Sequence, residues 1–260
     1  MPQRLVFLEM TTPAWFTAEP QSAPDALSGV ARPADTVWAQ GGLALILRTD
    51  GDRIAVSEPV PGTRLPGRCA ERHIQRDRTF CLGLDALGAG SIDEARIWWA
   101  HLEQWLQLQS LADETGLWPD AHALDHGHAG EWQRAAQRLA DELGFGEEYR
   151  RAHAGLPSWI TNPTTRVAKD DGTPINGRAP CPRGCEKTRG RRRRRILWGE
   201  CERRAAIARL VAMELHRRRA LDRYWKSEQG QPCCGTMINC PLRPAGQPPR
   251  QWMKSDLRIQ

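Results

Sequence analysis

The sequence predicts an α+β fold, an antiparallel sheet with packed helices, followed by a mainly helical, cysteine-rich zinc module. Three observations carry this. Short apolar runs broken by Pro- and Gly-rich turns fill residues 4–57, helical apolar periodicity dominates residues 91–143, and six of the eight cysteines fall after residue 180. At 260 residues the chain can bury a core of its own and divides into one or two domains.

Residues 4–10 (Arg-Leu-Val-Phe-Leu-Glu-Met) form a short apolar run suited to a buried strand, and no long amphipathic helix opens the chain. Residues 43–48 and 53–57 are apolar runs flanking Thr49-Asp50-Gly51-Asp52, whose Asp-Gly pair favours the positive φ of a tight hairpin turn. Together they predict a meander of about four antiparallel strands between residues 4 and 57. Pro59, Pro61 and Pro66 cannot donate ladder hydrogen bonds and carry the chain out of the sheet.

The next stretch, Cys69 to Leu84, places His73 eight residues before Cys81, with a polar turn between them and Gly83 just beyond. A cysteine attacks as the thiolate, so a reactive one needs an exposed loop and a neighbour that favours negative charge; His73, Arg72, Arg76 and Arg78 are close in sequence. Read alone, Cys81 fits a buried core thiol better than a reactive one. Ser91-Ile92-Asp93-Glu94 is a capping box, and the helix it starts runs to about Ser110 with Ala95, Trp98, Trp99, Leu102, Trp105 and Leu106 on one face. A second helix spans Glu131 to Leu143 and stops at Gly144. His122, His126 and His128 between the helices suit a loop or capping role better than a metal.

Pro157 to Pro180 reads as a linker, and a long helix follows from about Cys201 to Trp225. These boundaries give a domain at 1–156, a linker at 157–180, a cysteine-rich module at 181–243 and a mobile tail at 244–260. The module presents thiols on two turns, Cys181 with Cys185 and Cys233-Cys234 with Cys240, while Cys201 lies between them. Tetrahedral zinc needs four N or S ligands, and the first choice is Cys181, Cys185, Cys234 and Cys240, with Cys201 or Cys233 as substitutes. Two zinc ions on six thiolates, and reduced structural thiols, stay open. The zinc would be structural, holding a module with too little apolar mass to fold alone.

No run of about 18 apolar residues and no charged-then-apolar leader occurs, which argues against a membrane span and an export signal. A cytoplasmic location is expected, where thiols stay reduced and favour metal over disulfides. The formal net charge of +6 comes largely from Arg189 and Arg191 to Arg195. No aromatic residue interleaves that block, so it reads as a solvated or docking face rather than a nucleic-acid site. Neither a P-loop nor a dinucleotide-binding glycine pattern is present.

The segment His73, Phe80-Cys81-Leu82 resembles the active-site segment of E2 ubiquitin-conjugating enzymes. More of the chain, through Trp98-Trp99, the 176–185 Asn-Gly-Arg-Ala-Pro-Cys-Pro-Arg-Gly-Cys run, Cys233-Cys234-Gly235-Thr236-Met237 and Cys240-Pro241-Leu242, resembles the cysteine-rich E2-like proteins of bacterial Bil antiphage operons. The resemblance implies an E2-like catalytic domain over 1–156. In it, Cys81 would accept a ubiquitin-like protein from an E1-like activating enzyme as a thioester and transfer it to an amine on a target protein. His73 would hold the loop or favour the thiolate. Gln75 stands near where the family motif carries an Asn, and the gap from His73 to Cys81 is shorter than in the common motif. The rival expectations are an inert E2-like adaptor in a defence complex and a zinc-containing nucleic-acid binder.

Overall fold

Pro2, Leu5 and Leu8 set the first element. In the computed structural model residues Gln3–Met10 form helix α1, where the sequence predicted a strand and no opening helix. A seven-residue apolar run suits either element, and packing decides: Leu5 and Leu8 fall on one helical face and are fully buried. Thr11 and Thr12 then end the helix by donating their hydroxyls to the carbonyls of Phe7 and Glu9 at 2.7 and 2.8 Å. The structure describes residues 1–20, 23–84, 88–119, 124–162, 177–181, 183–189 and 192–244. His122, most of the 157–180 segment, Pro182, Arg191 and the tail beyond Pro244 lie outside them.

Two compact units divide the chain: Met1–Ala123 together with Glu228–Gln260, and Leu124–Ser227. In the first, β1 (Phe16–Ala18), β2 (Ala26–Ala31), β3 (Leu43–Asp50) and β4 (Arg53–Ser57) form one antiparallel sheet in chain order. The meander is as expected, but its first strand is Phe16–Ala18. Gly51, at φ +61, and Asp52 make the two-residue turn between Asp50 and Arg53. Alternation on β3 buries Leu43, Leu45 and Leu47 on one face.

Helix α2 (Ile92–Thr115) contributes Trp98, Trp99, Leu102, Trp105 and Leu106 to the same core. Ser91 Oγ accepts the Glu94 amide at 3.2 Å, while the Glu94 carboxylate reaches past Ser91 to the Gly90 amide at 2.8 Å. The helix outruns Ser110 and ends at Gly116, whose φ of +70 favours glycine. The returning C-terminal segment pairs there, with the Ile238 amide donating to the Gly116 carbonyl at 2.7 Å. Glu58, nearly buried, organises the proline-rich exit by accepting the amides of Gly62, Arg64 and Leu65.

The second unit holds α3 (His128–Glu142), α4 (Gly146–His153), a ribbon of β5 (Glu186–Arg189) paired antiparallel with β6 (Arg192–Arg195), and most of α5 (Arg204–Glu228). Ala136 and Ala140 of α3 share a core with Tyr149 and Ala152 of α4 and with Ile207, Leu210 and Val211 of α5. The unit boundary therefore falls at 123/124, upstream of the boundary at 156 read from sequence, because the apolar face of α3 is covered by α4 and α5. No helix among the described residues is long and apolar enough to cross a membrane.

Candidate functional site

Cys69 to Cys81 folds as a short hairpin on the first unit. Cys69 and Ile74 exchange backbone hydrogen bonds at 2.9 and 3.1 Å around the single helical turn Ala70–Arg72. His73 leaves that turn with φ 54 and ψ 34, a left-handed conformation that histidine adopts more readily than most residues. The ladder then pairs Ile74 with Phe80. Gln75 donates its amide to Thr79 at 2.9 Å, and Cys81 donates its amide to the His73 carbonyl at 2.8 Å. The backbone thus brings His73 and Cys81 together across one rung, and sets Gln75 two residues toward the exposed tip.

Three contacts fix this hairpin. The Phe80 amide donates to the Val56 carbonyl of β4 at 2.9 Å. The Phe80 ring stacks on Trp105 of α2 at 4.2 Å. Arg72 is fully buried beneath the turn: Nε donates to Gln109 Oε1 at 2.7 Å, its second arm pairs with Asp113 at 2.6 Å, and Gln109 Nε2 returns a bond to the Arg72 carbonyl. A buried guanidinium is tolerated because carboxylate and amide partners meet it. Cys81 itself is half-buried, just beyond this anchored base. The His73 ring lies against Trp118, just after α2, at 4.8 Å. An anchored hairpin presenting a half-buried thiol beside a histidine backbone suits nucleophilic acyl chemistry, in which the sulfur must be reachable yet held still.

The remaining predicted site cysteines gather in two places. In the second unit, Cys181 and Cys185 bracket a turn in which the Gly184 amide donates to the Cys181 carbonyl at 2.9 Å. Cys185 is in hydrogen-bond contact with Cys181 and close to Cys201; burial, then the Cys181 contact, pushes its thiol up. Backbone bonds from Cys181 to Ile196 and from Ile196 to Cys185, at 2.7 and 2.8 Å, put these residues at the base of the arginine ribbon. On that ribbon Arg194 and Lys187 both reach the carboxylate of Glu200. His126, by contrast, stacks on Tyr224 at 5.0 Å, and His128 faces Glu131.

In the first unit, Cys233, Cys234 and Cys240 meet a cysteine that the sequence reading passed over. Cys69 Sγ lies 2.7 Å from Cys234 Sγ. Cys234 is also in contact with Cys240 and, at 3.3 Å, with the Thr236 hydroxyl. Contact with Cys240, then Cys69, holds the Cys234 thiol well below its ordinary range, while the bond to Cys234, then burial, pushes Cys69 up. Cys69 was missed because it stands alone in sequence, 165 residues from its partner; the one available signal was a cysteine just ahead of the histidine-bearing turn. Of the six metal candidates, Cys181, Cys185 and Cys201 come together in one unit, and Cys233, Cys234 and Cys240 in the other.

A family model described as a prokaryotic E2 domain matches residues 15–120. A second, described as a cysteine-rich domain C-terminal to the E2 domain, matches residues 125–242. No curated protein and no solved structure matches the chain.

Proposed function

We propose that this E2-like, cysteine-rich protein is a conjugating enzyme for a ubiquitin-like protein, with Cys81 as its nucleophile. The Cys81 thiolate attacks the carbonyl of the thioester held by an E1-like activating enzyme; a new C–S bond forms and the E1 thiolate leaves. A target amine then attacks the Cys81 thioester, the Cys81 thiolate departs, and the amine's proton passes to solvent or a nearby base. His73 is the nearest histidine in the hairpin and Gln75 the amide side chain on the same edge. We assign His73 to shaping the loop at Cys81 and Gln75 to hydrogen bonding near the oxyanion. Activation by ATP belongs to the E1-like partner.

The observation that carries this reading is the anchored hairpin that pairs the Cys81 amide with the His73 carbonyl inside the segment matching an E2 domain. Zinc held by cysteines among Cys181, Cys185, Cys201, Cys233, Cys234 and Cys240 is proposed as structural support, and bacterial antiphage defence as the setting. The test is a non-reducing gel of the protein with an E1-like enzyme, a ubiquitin-like protein and ATP. Wild type should give a thiol-sensitive adduct that Cys81→Ala lacks. A folded wild type that forms none beside an active E1-like partner would turn the reading to an inert adaptor.

A further inference from the structure

We propose that Cys69, Cys233, Cys234 and Cys240 are the four ligands of a single zinc ion, separate from the Cys181, Cys185 and Cys201 group. The four sulfurs are joined in a chain of contacts: Cys69 to Cys234, Cys234 to Cys240, and Cys240 to Cys233. Four is the tetrahedral number, and none need come from the other unit.

A second observation is independent of the sulfur contacts. Backbone amides gather at the sulfurs: Gly235 donates to Cys233 at 3.3 Å, and the amides of Thr236, Leu242 and Arg72 lie near Cys234, Cys240 and Cys69 and favour their charged forms. A neutral core thiol does not require such donors. A thiolate does, because amides directed at sulfur offset its charge, and zinc binding needs all four thiols to give up their protons. Gly235, at φ +80, provides the tight turn that aims its amide back at Cys233. The competing oxygen ligand at the same cleft, Glu228, is already spanned by Arg68 and Arg76.

The Cys69 and Cys234 sulfurs stand closer together than in a loaded site. Among the described residues no three Cys, His, Asp or Glu side chains stand in a metal-ligating group. The Cys69–Cys234 separation of 2.7 Å is shorter than the roughly 3.7 Å edge of a tetrahedron with ~2.3 Å Zn–S bonds, and longer than the ~2.05 Å of a disulfide. Loading would spread that pair by about 1 Å, a shift that the half-buried Cys233–Gly235 turn can absorb. The site would tie the C-terminal segment to the first residue of the hairpin that carries Cys81, since Cys69 is bridged to Ile74.

The test uses the full chain and reads metal, not conjugation, so its failure is distinct from failure of the E2 reading. Zinc-loaded wild type is pulsed with iodoacetamide and mapped by mass spectrometry. Cys69, Cys233, Cys234 and Cys240 should be protected together and become modified together once a chelator removes zinc. Cobalt(II) added to the stripped protein should give the absorption of tetrahedral thiolate ligation. Cys69→Ser should lower the zinc content by one equivalent, and Cys81→Ser should leave it unchanged. Modification of Cys69 in zinc-loaded wild type at the rate seen after chelation overturns the proposal, as does a wild type that takes up neither zinc nor cobalt. The wild-type arms decide the matter even if Cys69→Ser does not fold.

Discussion

In the first unit the core is mostly large and apolar, with Trp38, Trp98, Leu27, Leu43, Leu45 and Leu47 between a sheet and α2, and Arg72 with Gln109 is a buried polar exception. In the second, alanines at 136, 140, 152 and 208 let helices approach, and charges lie among them. Glu214, 1% exposed, accepts Arg217 Nε at 2.6 Å and Arg218 Nε at 2.7 Å, and Arg217 also pairs with Asp125. Apolar burial involves no titrating group, whereas a buried ion network must offset a desolvation cost and fails when one member changes charge. The hairpin bearing Cys81 uses both kinds of contact: Phe80 stacks on Trp105 of the apolar core, and Arg72 pairs with Asp113 and Gln109 beneath the turn. The nucleophile's place therefore rests on an apolar stack that no titration touches and on one buried ion pair.

The comparison breaks most readily at Trp98. Trp98→Ala should cost about 3 to 5 kcal/mol, through lost burial plus the cavity left behind. Urea unfolding followed by hydrogen exchange should show protection falling across β3, β4 and the hairpin while α3 keeps its own. Equal loss in both units would mean that they do not melt separately and that the contrast between their cores has no energetic content.

Asp125 probes the other side. Burial alone would raise its carboxyl, but hydrogen bonds and charge from His153 and Arg217 outweigh that and hold it below the ordinary aspartate value of 3.8. Its folded value lies below its unfolded one, so the stabilisation is complete above about pH 4 and is lost as pH falls through the lowered value. Asp125→Asn leaves Arg217 short of a charge partner and should cost about 3 kcal/mol at pH 7. It should also flatten the acid limb of α3 and α5 protection, measured by hydrogen exchange between pH 5 and 3. An acid limb as steep as that of wild type would assign the loss to another carboxylate.

Local signals made part of this molecule readable. The Asp50-Gly51 turn, the Ser91 cap, the period of the α2 tryptophans and the His73-to-Cys81 spacing each act within a few residues, so sequence alone placed the meander, the main helix and the candidate nucleophile. The remainder depended on distant packing. Leu5 and Leu8 made α1 a helix only because a core lay against one side of it, and the covering of α3 by α5 moved the unit boundary to 123/124. The Cys69 site was illegible for the same reason: metal-ligand spacing was sought within the C-terminal cysteines, and the fourth thiol lies on the hairpin of the first unit.

The smallest expected effect concerns how the helices begin. Ser91 caps α2 through its hydroxyl, whereas α3 starts at Gly127 with no side-chain cap and a φ of +58. Ser91→Ala should cost about 1 kcal/mol, the usual loss for an N-cap hydroxyl. The matching change in the second unit, Gly127→Ser, should bring no gain although it supplies a hydroxyl. A Cβ there adopts an unfavourable left-handed backbone and meets the Tyr224 ring at 3.3 Å. The residues of α2 that grip the hairpin, Gln109 and Asp113, lie several turns from the cap, so Ser91→Ala should lower the urea midpoint and leave the rate of adduct formation at Cys81 unchanged. A slower adduct in that variant would show that fraying at the start of α2 reaches the Arg72 anchor, and that the apolar core holds the nucleophile less firmly than its burial implies.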